Sequence, residues 1–113
     1  MTKSEIIEKL QLKTLTGPDT LEGEAKGGYT SDLLSDVIAN SKEGDLWITL
    51  QTHQNIIAVA RLKDLAGIIL VNNREPDADT LQKAEAEKIA LMLSGDMAFE
   101  ISGKLFDLLD SSG

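Results

Sequence analysis

The sequence predicts an α/β fold, a three-layer α/β/α sandwich around a mostly parallel sheet of about five strands. Two observations carry that expectation. Apolar runs at Asp45–Leu50, Gly67–Val71 and Ile89–Leu93 are each followed by a segment with helical periodicity, and each connecting segment is too long for a hairpin. The runs are also continuous where a half-exposed strand would alternate, so the sheet they form is covered on both faces. Neighbours among these strands are expected to lie parallel.

The elements follow in order. Thr2 and Glu5 stand at capping-box spacing ahead of Ile6, Ile7 and Leu10, which give a short helix one apolar side. Leu12–Thr16 (LKTLT) alternates and is rich in branched residues, a strand signal that stops at Gly17-Pro18. Part of Gly23–Tyr29 is expected to form a second short strand. From Thr30 the period changes, and Leu33, Leu34, Val37 and Ile38 form one face of a helix with Thr30 or Ser31 at its cap. Lys42-Glu43-Gly44 breaks that helix before the strand at Asp45–Leu50. Asn55–Leu62 reads as a helix and Gly67–Val71 as a strand. Asp79, with Gln82 three positions on, opens the next helix, which Leu81, Ala84 and Lys88 continue. After the strand at Ile89–Leu93, an apolar stripe of Ala98, Ile101, Leu105 and Leu108 marks a closing helix. There is no repeat, low-complexity tract or linker, and residues 1–113 are expected to form one domain.

Composition narrows the function classes. A chain of 113 residues with 42% apolar and 27% charged content fits a domain with a sizeable core, and excludes fibrous or largely disordered classes. Without cysteine there is no disulfide scaffold, thiol nucleophile or thiolate metal site. The formal charge of −8 repels nucleic acid and anionic lipid, so neither is expected as a partner. Met1–Leu10 lacks the apolar core of a signal peptide, and runs such as Ala66–Val71 are too short to cross a bilayer. A cytoplasmic location is the expectation.

Open parallel sheets bind ligands outside the carboxyl ends of their strands. That rule selects residues 27–32, 51–55, 72–75 and 94–96, all polar or glycine-rich and each leading into a helix amino terminus. Polar caps and turns account for the same residues equally well. Gly27-Gly28 is no phosphate loop, because Lys26 precedes the glycines where a Walker loop places its lysine after them. His53 is the single histidine, which excludes a multi-histidine metal site, and it reads as a structural or ligand-contacting ring before a catalytic one. Trp47 reads as core or interface, and Asp107 and Asp110 as a solvated helix face with no metal role. No cofactor is expected.

The run GGYTSDLLSDVIANSKEGDLWITLQTHQNIIAVARLKDLAGIILVNNREPD resembles the DRTGG domain family, and the similarity extends over nearly the whole chain. The resemblance implies a fold like the amino-terminal domain of HPr kinase/phosphorylase. Free-standing members are often labelled HPr serine kinases, but the likeness is to the non-catalytic part of that kinase and implies no kinase activity. Other members are modules of phosphotransacetylases and of pyrophosphatases regulated by CBS domains. The family's Asp-Arg pair falls on Thr52-His53, and its Thr-Gly-Gly falls on Val71-Asn72-Asn73, so neither motif is retained. His and Asn lack arginine's bidentate fork, while asparagine tolerates the left-handed backbone that glycine favours.

Two functions remain open. One is a non-catalytic regulatory or ligand-sensing domain that takes a nucleotide or phosphorylated metabolite at Thr30, Ser31, Thr52, His53, Asn72, Asn73 and Arg74. The other is a dimerisation or docking module of a metabolic enzyme complex. A homodimer is expected in either case, because the closing helix carries Phe99, Leu105, Phe106, Leu108 and Leu109, more apolar positions than one core-facing stripe requires, with Gly103 among them. An enzyme ranks last, since no nucleophile–base pair or metal cluster can be assembled. The purified chain should therefore transfer no radiolabel from ATP to HPr, because it lacks the loop that positions phosphates; labelled HPr in that assay would overturn this.

Overall fold

The structure is a computed structural model and describes residues 1–112. Helix α1 (Lys3–Leu10) opens with the expected capping box: Thr2 Oγ1 accepts the Glu5 N–H at 3.1 Å, and the Glu5 carboxylate accepts the Thr2 N–H at 3.2 Å. It ends at Gln11 in the left-handed conformation. Strand β1 (Lys13–Thr14) is shorter than the expected Leu12–Thr16. The chain still follows its neighbour beyond Thr14: Leu15 donates to the Leu91 carbonyl at 2.9 Å, and the Thr16 hydroxyl accepts the Leu91 N–H at 3.1 Å. A side chain thus takes a place that a backbone carbonyl would fill in a longer strand.

After one 3-10 turn at Pro18–Thr20, the chain runs through β2 (Gly27–Thr30), α2 (Leu34–Asn40), β3 (Asp45–Thr49), α3 (Asn55–Leu62), β4 (Gly67–Leu70), α4 (Ala78–Glu87), β5 (Leu91–Leu93) and α5 (Ala98–Ser112). The sheet order is β1-β5-β4-β3-β2. Strands β2 to β5 are parallel in sequence order, with Trp47 beside Ile68 and Ile69 beside Met92, and β1 is antiparallel to β5. The expected three-layer sandwich is the observed one.

Alternation along the strands builds the layers. Trp47, Ile68, Leu70 and Leu91 face one way, into a core with Val37 of α2, Ile56 and Ile57 of α3 and Ala84 of α4. Leu46, Ile48, Ile69 and Met92 face the other, against Ile6 of α1 and Ile101 and Leu105 of α5. Successive connections step to the neighbouring strand in one direction, so right-handed crossovers put α2, α3 and α4 on a single face. Trp47 is fully buried and donates its indole N–H to the Ser31 carbonyl at 2.8 Å, which makes it a core residue.

Several local expectations need correction. Helix α2 is capped by neither Thr30 nor Ser31: Leu33 is its N-cap, with no side-chain cap bond, because the Ser31 hydroxyl spends itself on the Leu33 N–H one step earlier. Leu33 is 63% exposed since its extended backbone takes it off the helical face, and Ile38 turns away from the buried Val37 by one helical step. Helix α4 starts at Ala78 with Asp77 as N-cap, not at Asp79, and its C-cap Lys88 is left-handed and does not continue it. Strand β5 starts at Leu91, two residues after Ile89.

At Gly67, strand β4 passes close against the backbone at Ala90, just before β5. A Cβ there would lie 2.9 Å from the Ala90 carbonyl oxygen and 3.0 Å from the Ala90 Cβ. Backbone cannot yield as a flexible side chain can, so Gly67→Ala should destabilise the domain by about 1–3 kcal/mol in urea unfolding. An unchanged midpoint would show that β4 and β5 can part without cost.

Candidate functional site

The carboxyl ends of β2, β3, β4 and β5 form one rim, and hydrogen bonds lash its loops together in series. The Asp32 carboxylate accepts the Thr49 hydroxyl at 2.9 Å and the Leu50 N–H at 2.7 Å, while Gln51 Nε2 donates to the Asp32 carbonyl at 2.7 Å. That ties the loop after β2 to the loop after β3. The Thr52 carbonyl then accepts the Asp77 N–H at 3.2 Å and the Thr80 hydroxyl at 2.7 Å, which joins the second loop to the start of α4. Finally Asn72 donates its N–H to the Asp96 carbonyl at 2.8 Å, and Asn73 to the Ser94 carbonyl at 2.9 Å. A polar loop satisfied in this way holds its shape without a ligand.

The expected site residues divide between this rim and other duties. Thr30 leaves the rim: its hydroxyl bonds Ser102 of α5 at 2.7 Å on the opposite face. Ser31 gives its hydroxyl to the turn ahead of α2 and its carbonyl to Trp47. Thr52 works through its carbonyl. His53 is exposed, and its Nδ1 accepts the Asn55 N–H at 3.1 Å at the start of α3. Asn72 and Asn73 have φ of 57° and 54°, consecutive left-handed residues in the place where the resemblance puts two glycines. Arg74 follows them, exposed, and among the described residues its guanidinium has neither a hydrogen-bond nor an ion-pair partner. Asn72, Asn73 and the loop at Ser94–Asp96 are brought together by direct bonds; Thr30 is not brought to them.

A polar cluster missed in the sequence borders the rim. The Tyr29 hydroxyl donates to Asp36 at 2.8 Å, and Asn40 Nδ2 donates to the same carboxylate at 2.8 Å. The hydroxyls of Ser31 and Tyr29 and the Asn40 amide hold the Asp36 carboxyl below its ordinary value, and the Asp36 carboxylate pushes the Tyr29 hydroxyl up. The four-residue spacing of Asp36 and Asn40 was readable, but nothing local tied either to Tyr29. Likewise Asp32 stood in a segment already singled out, yet its partners lie 17 to 19 residues on.

Among the described residues no group of three or more His, Asp or Glu is placed to hold a metal ion. A groove of about 890 Å³ lies away from the rim, between β2 and α5. No helix among the described residues is long and apolar enough to cross a membrane.

Fold and rim together define an open, mostly parallel α/β sandwich whose polar loop edge is preformed. No family model matches the chain, and no curated protein matches it. Among solved structures it is similar to the CBS and DRTGG domains of the regulatory region of Clostridium perfringens pyrophosphatase, crystallised with the activator diadenosine tetraphosphate. The TM-score is 0.69 at 14% sequence identity, over 92% of this chain and 45% of that one. The chain thus spans less than half the length of that neighbour and has a DRTGG-like fold.

The Asp36 cluster sets a pH dependence. A carboxyl whose folded value is depressed contributes stability above its unfolded value, and that contribution is lost as pH falls through the folded value. Asp36 should titrate below the ordinary 3.8, and Tyr29→Phe should move its midpoint upward in a carboxyl NMR titration. A midpoint unmoved by removal of the hydroxyl would contradict the bond's role.

Proposed function

We propose that the chain is a non-catalytic regulatory domain that binds a nucleotide or another phosphorylated metabolite at the rim. The observation that carries this reading is Arg74, a guanidinium with no partner among the described residues, at the edge of loops already held rigid in an otherwise acidic protein. His53 adds a ring whose Nε2 is open to a ligand, while its Nδ1 accepts the Asn55 N–H and so has no proton to donate to an orienting carboxylate of the kind a catalytic base uses. The neighbour belongs to a pyrophosphatase regulatory region crystallised with a nucleotide activator, which supports a sensing role. The resemblance to the amino-terminal domain of HPr kinase/phosphorylase points the same way, toward a part without kinase chemistry. A metabolic enzyme is the partner such a domain would regulate.

A second reading, docking or dimerisation without a small ligand, is favoured by the groove between β2 and α5, where Phe99 is 90% and Phe106 73% exposed.

A thermal-shift panel of nucleotides and phosphorylated metabolites separates the two. A ligand at a hundredfold excess over its Kd should stabilise the chain by about 2.7 kcal/mol. Arg74→Ala should abolish the shift and leave the unliganded midpoint in place, since that side chain bonds nothing described. A panel in which no phosphorylated compound moves the midpoint would remove the ligand-sensing reading.

A further inference from the structure

Strand β2 ends the sheet, and among the described residues no strand lies on its outer side. Ser31, just past its end, donates its N–H inward, to the Ile48 carbonyl of β3 at 3.2 Å. Strand residues alternate in the side their backbone groups face, so Gly28 and Thr30 turn theirs outward, and both are exposed. Each offers an N–H and a carbonyl that the sheet leaves unpaired. The span 27–30 carries no proline and no charge, the devices that usually keep a strand edge closed. At the other edge β1 is only two residues long and includes an exposed lysine, Lys13.

Helix α5 runs along this edge in the opposite direction: Thr30 bonds Ser102, and a Cβ on Gly28 would stand 2.8 Å from Leu105 Cδ2. The helical wall of the groove is apolar in its middle, where Phe99 and Phe106 are exposed on the same stripe as Gly103. Nothing lies within 4 Å of the place a Gly103 Cβ would occupy. Four charged residues line the groove, and they are not equivalent. Both lysines are already answered, Lys104 by Asp96 at 2.7 Å and Lys26 by Glu43 at 3.6 Å. The carboxylates are Glu100, toward the Thr30 end, and Asp110, toward the Lys26 end. Neither makes a hydrogen bond or an ion pair among the described residues. Glu100 feels the charge of Lys104 one turn away, but Lys104 gives its hydrogen bond to Asp96.

The geometry points to an extended segment of a partner protein, basic at both ends and apolar between, that adds to β2 as a further strand. This rests on the docking reading of the groove and names its occupant. An extended backbone supplies donors and acceptors at the spacing that Gly28 and Thr30 present. Glu100 and Asp110 stand ten residues apart on α5, about 15 Å along the helix. A strand covers that distance in four to five residues at about 3.3 Å each. Two basic side chains four residues apart therefore share one face of the added strand and reach one carboxylate each, with an apolar side chain midway over Gly103. Acids at both ends suit either direction of the strand. A second copy of this chain fits less well: it brings −8 against −8, and its own edge span has no charge to set against Glu100 and Asp110.

Selection of a random decapeptide display library on the full chain tests it, followed by amide hydrogen exchange with a selected peptide. Enriched peptides should carry Lys or Arg four positions apart with an apolar residue midway. With the peptide bound, the Gly28 and Thr30 amides should exchange about tenfold more slowly or better. Glu100→Gln and Asp110→Asn should each weaken binding about threefold. Gly103→Gln favours the helix but fills the groove, so it should weaken binding at least about tenfold with an unchanged far-ultraviolet circular dichroism spectrum. Peptides enriched without the basic pattern, or bound without slowing those two amides, would overturn strand addition and leave the groove a docking face. A library that enriches nothing would overturn both. Gly28 and Thr30 amides already protected in a free chain of twice 12.2 kDa would put a second copy on the edge and overturn the proposal. Because none of these substitutions touches Arg74, failure here leaves the rim reading where it was.

Discussion

Every residue of β3, β4 and β5 is buried, and the rest of the molecule answers to that fact. Strands apolar on both faces need a helical layer on each side, and three successive crossovers supply only one of them. The second layer must come from the ends of the chain, so α1 and α5 lie together beneath the sheet. With both faces covered, solvent meets the sheet only at its rims and edges.

Much of the architecture was legible for a physical reason: it rests on local signals. The helix at Asn55–Leu62 and the capping box at Thr2 are matters of a few neighbouring residues, and both stand as read. The unbroken apolar runs reported the two-sided burial directly. What was not legible depends on distant partners. Thr16 substitutes for a strand carbonyl because of Leu91, and the Ser31 hydroxyl leaves the α2 cap for a tighter turn, while its carbonyl meets Trp47. No spacing rule contains those bonds.

Strand order alone gathers the loops at the carboxyl ends of the strands, but not the roles of their side chains. Loop position follows from strand order, so residues near Thr52, Asn72 and Ser94 could be gathered in advance. Side-chain direction does not follow from it: Thr30 lies on the outward alternation of β2 and bonds α5. The paired asparagines show the opposite case. Both take the left-handed backbone at the two positions where the resemblance puts glycines, a conformation asparagine tolerates better than most residues.

The sheet order also bears on how the chain assembles. Strands β2 to β5 lie side by side in the order of their synthesis, so each joins an existing neighbour after a short loop closure. Strand β1 is the exception. Its partner Met92 stands far along the chain from Thr14, and α1 packs beside α5, which comes later still. During synthesis, α1 and β1 would therefore dock only once β5 and α5 had been made, and their apolar side would wait uncovered until then.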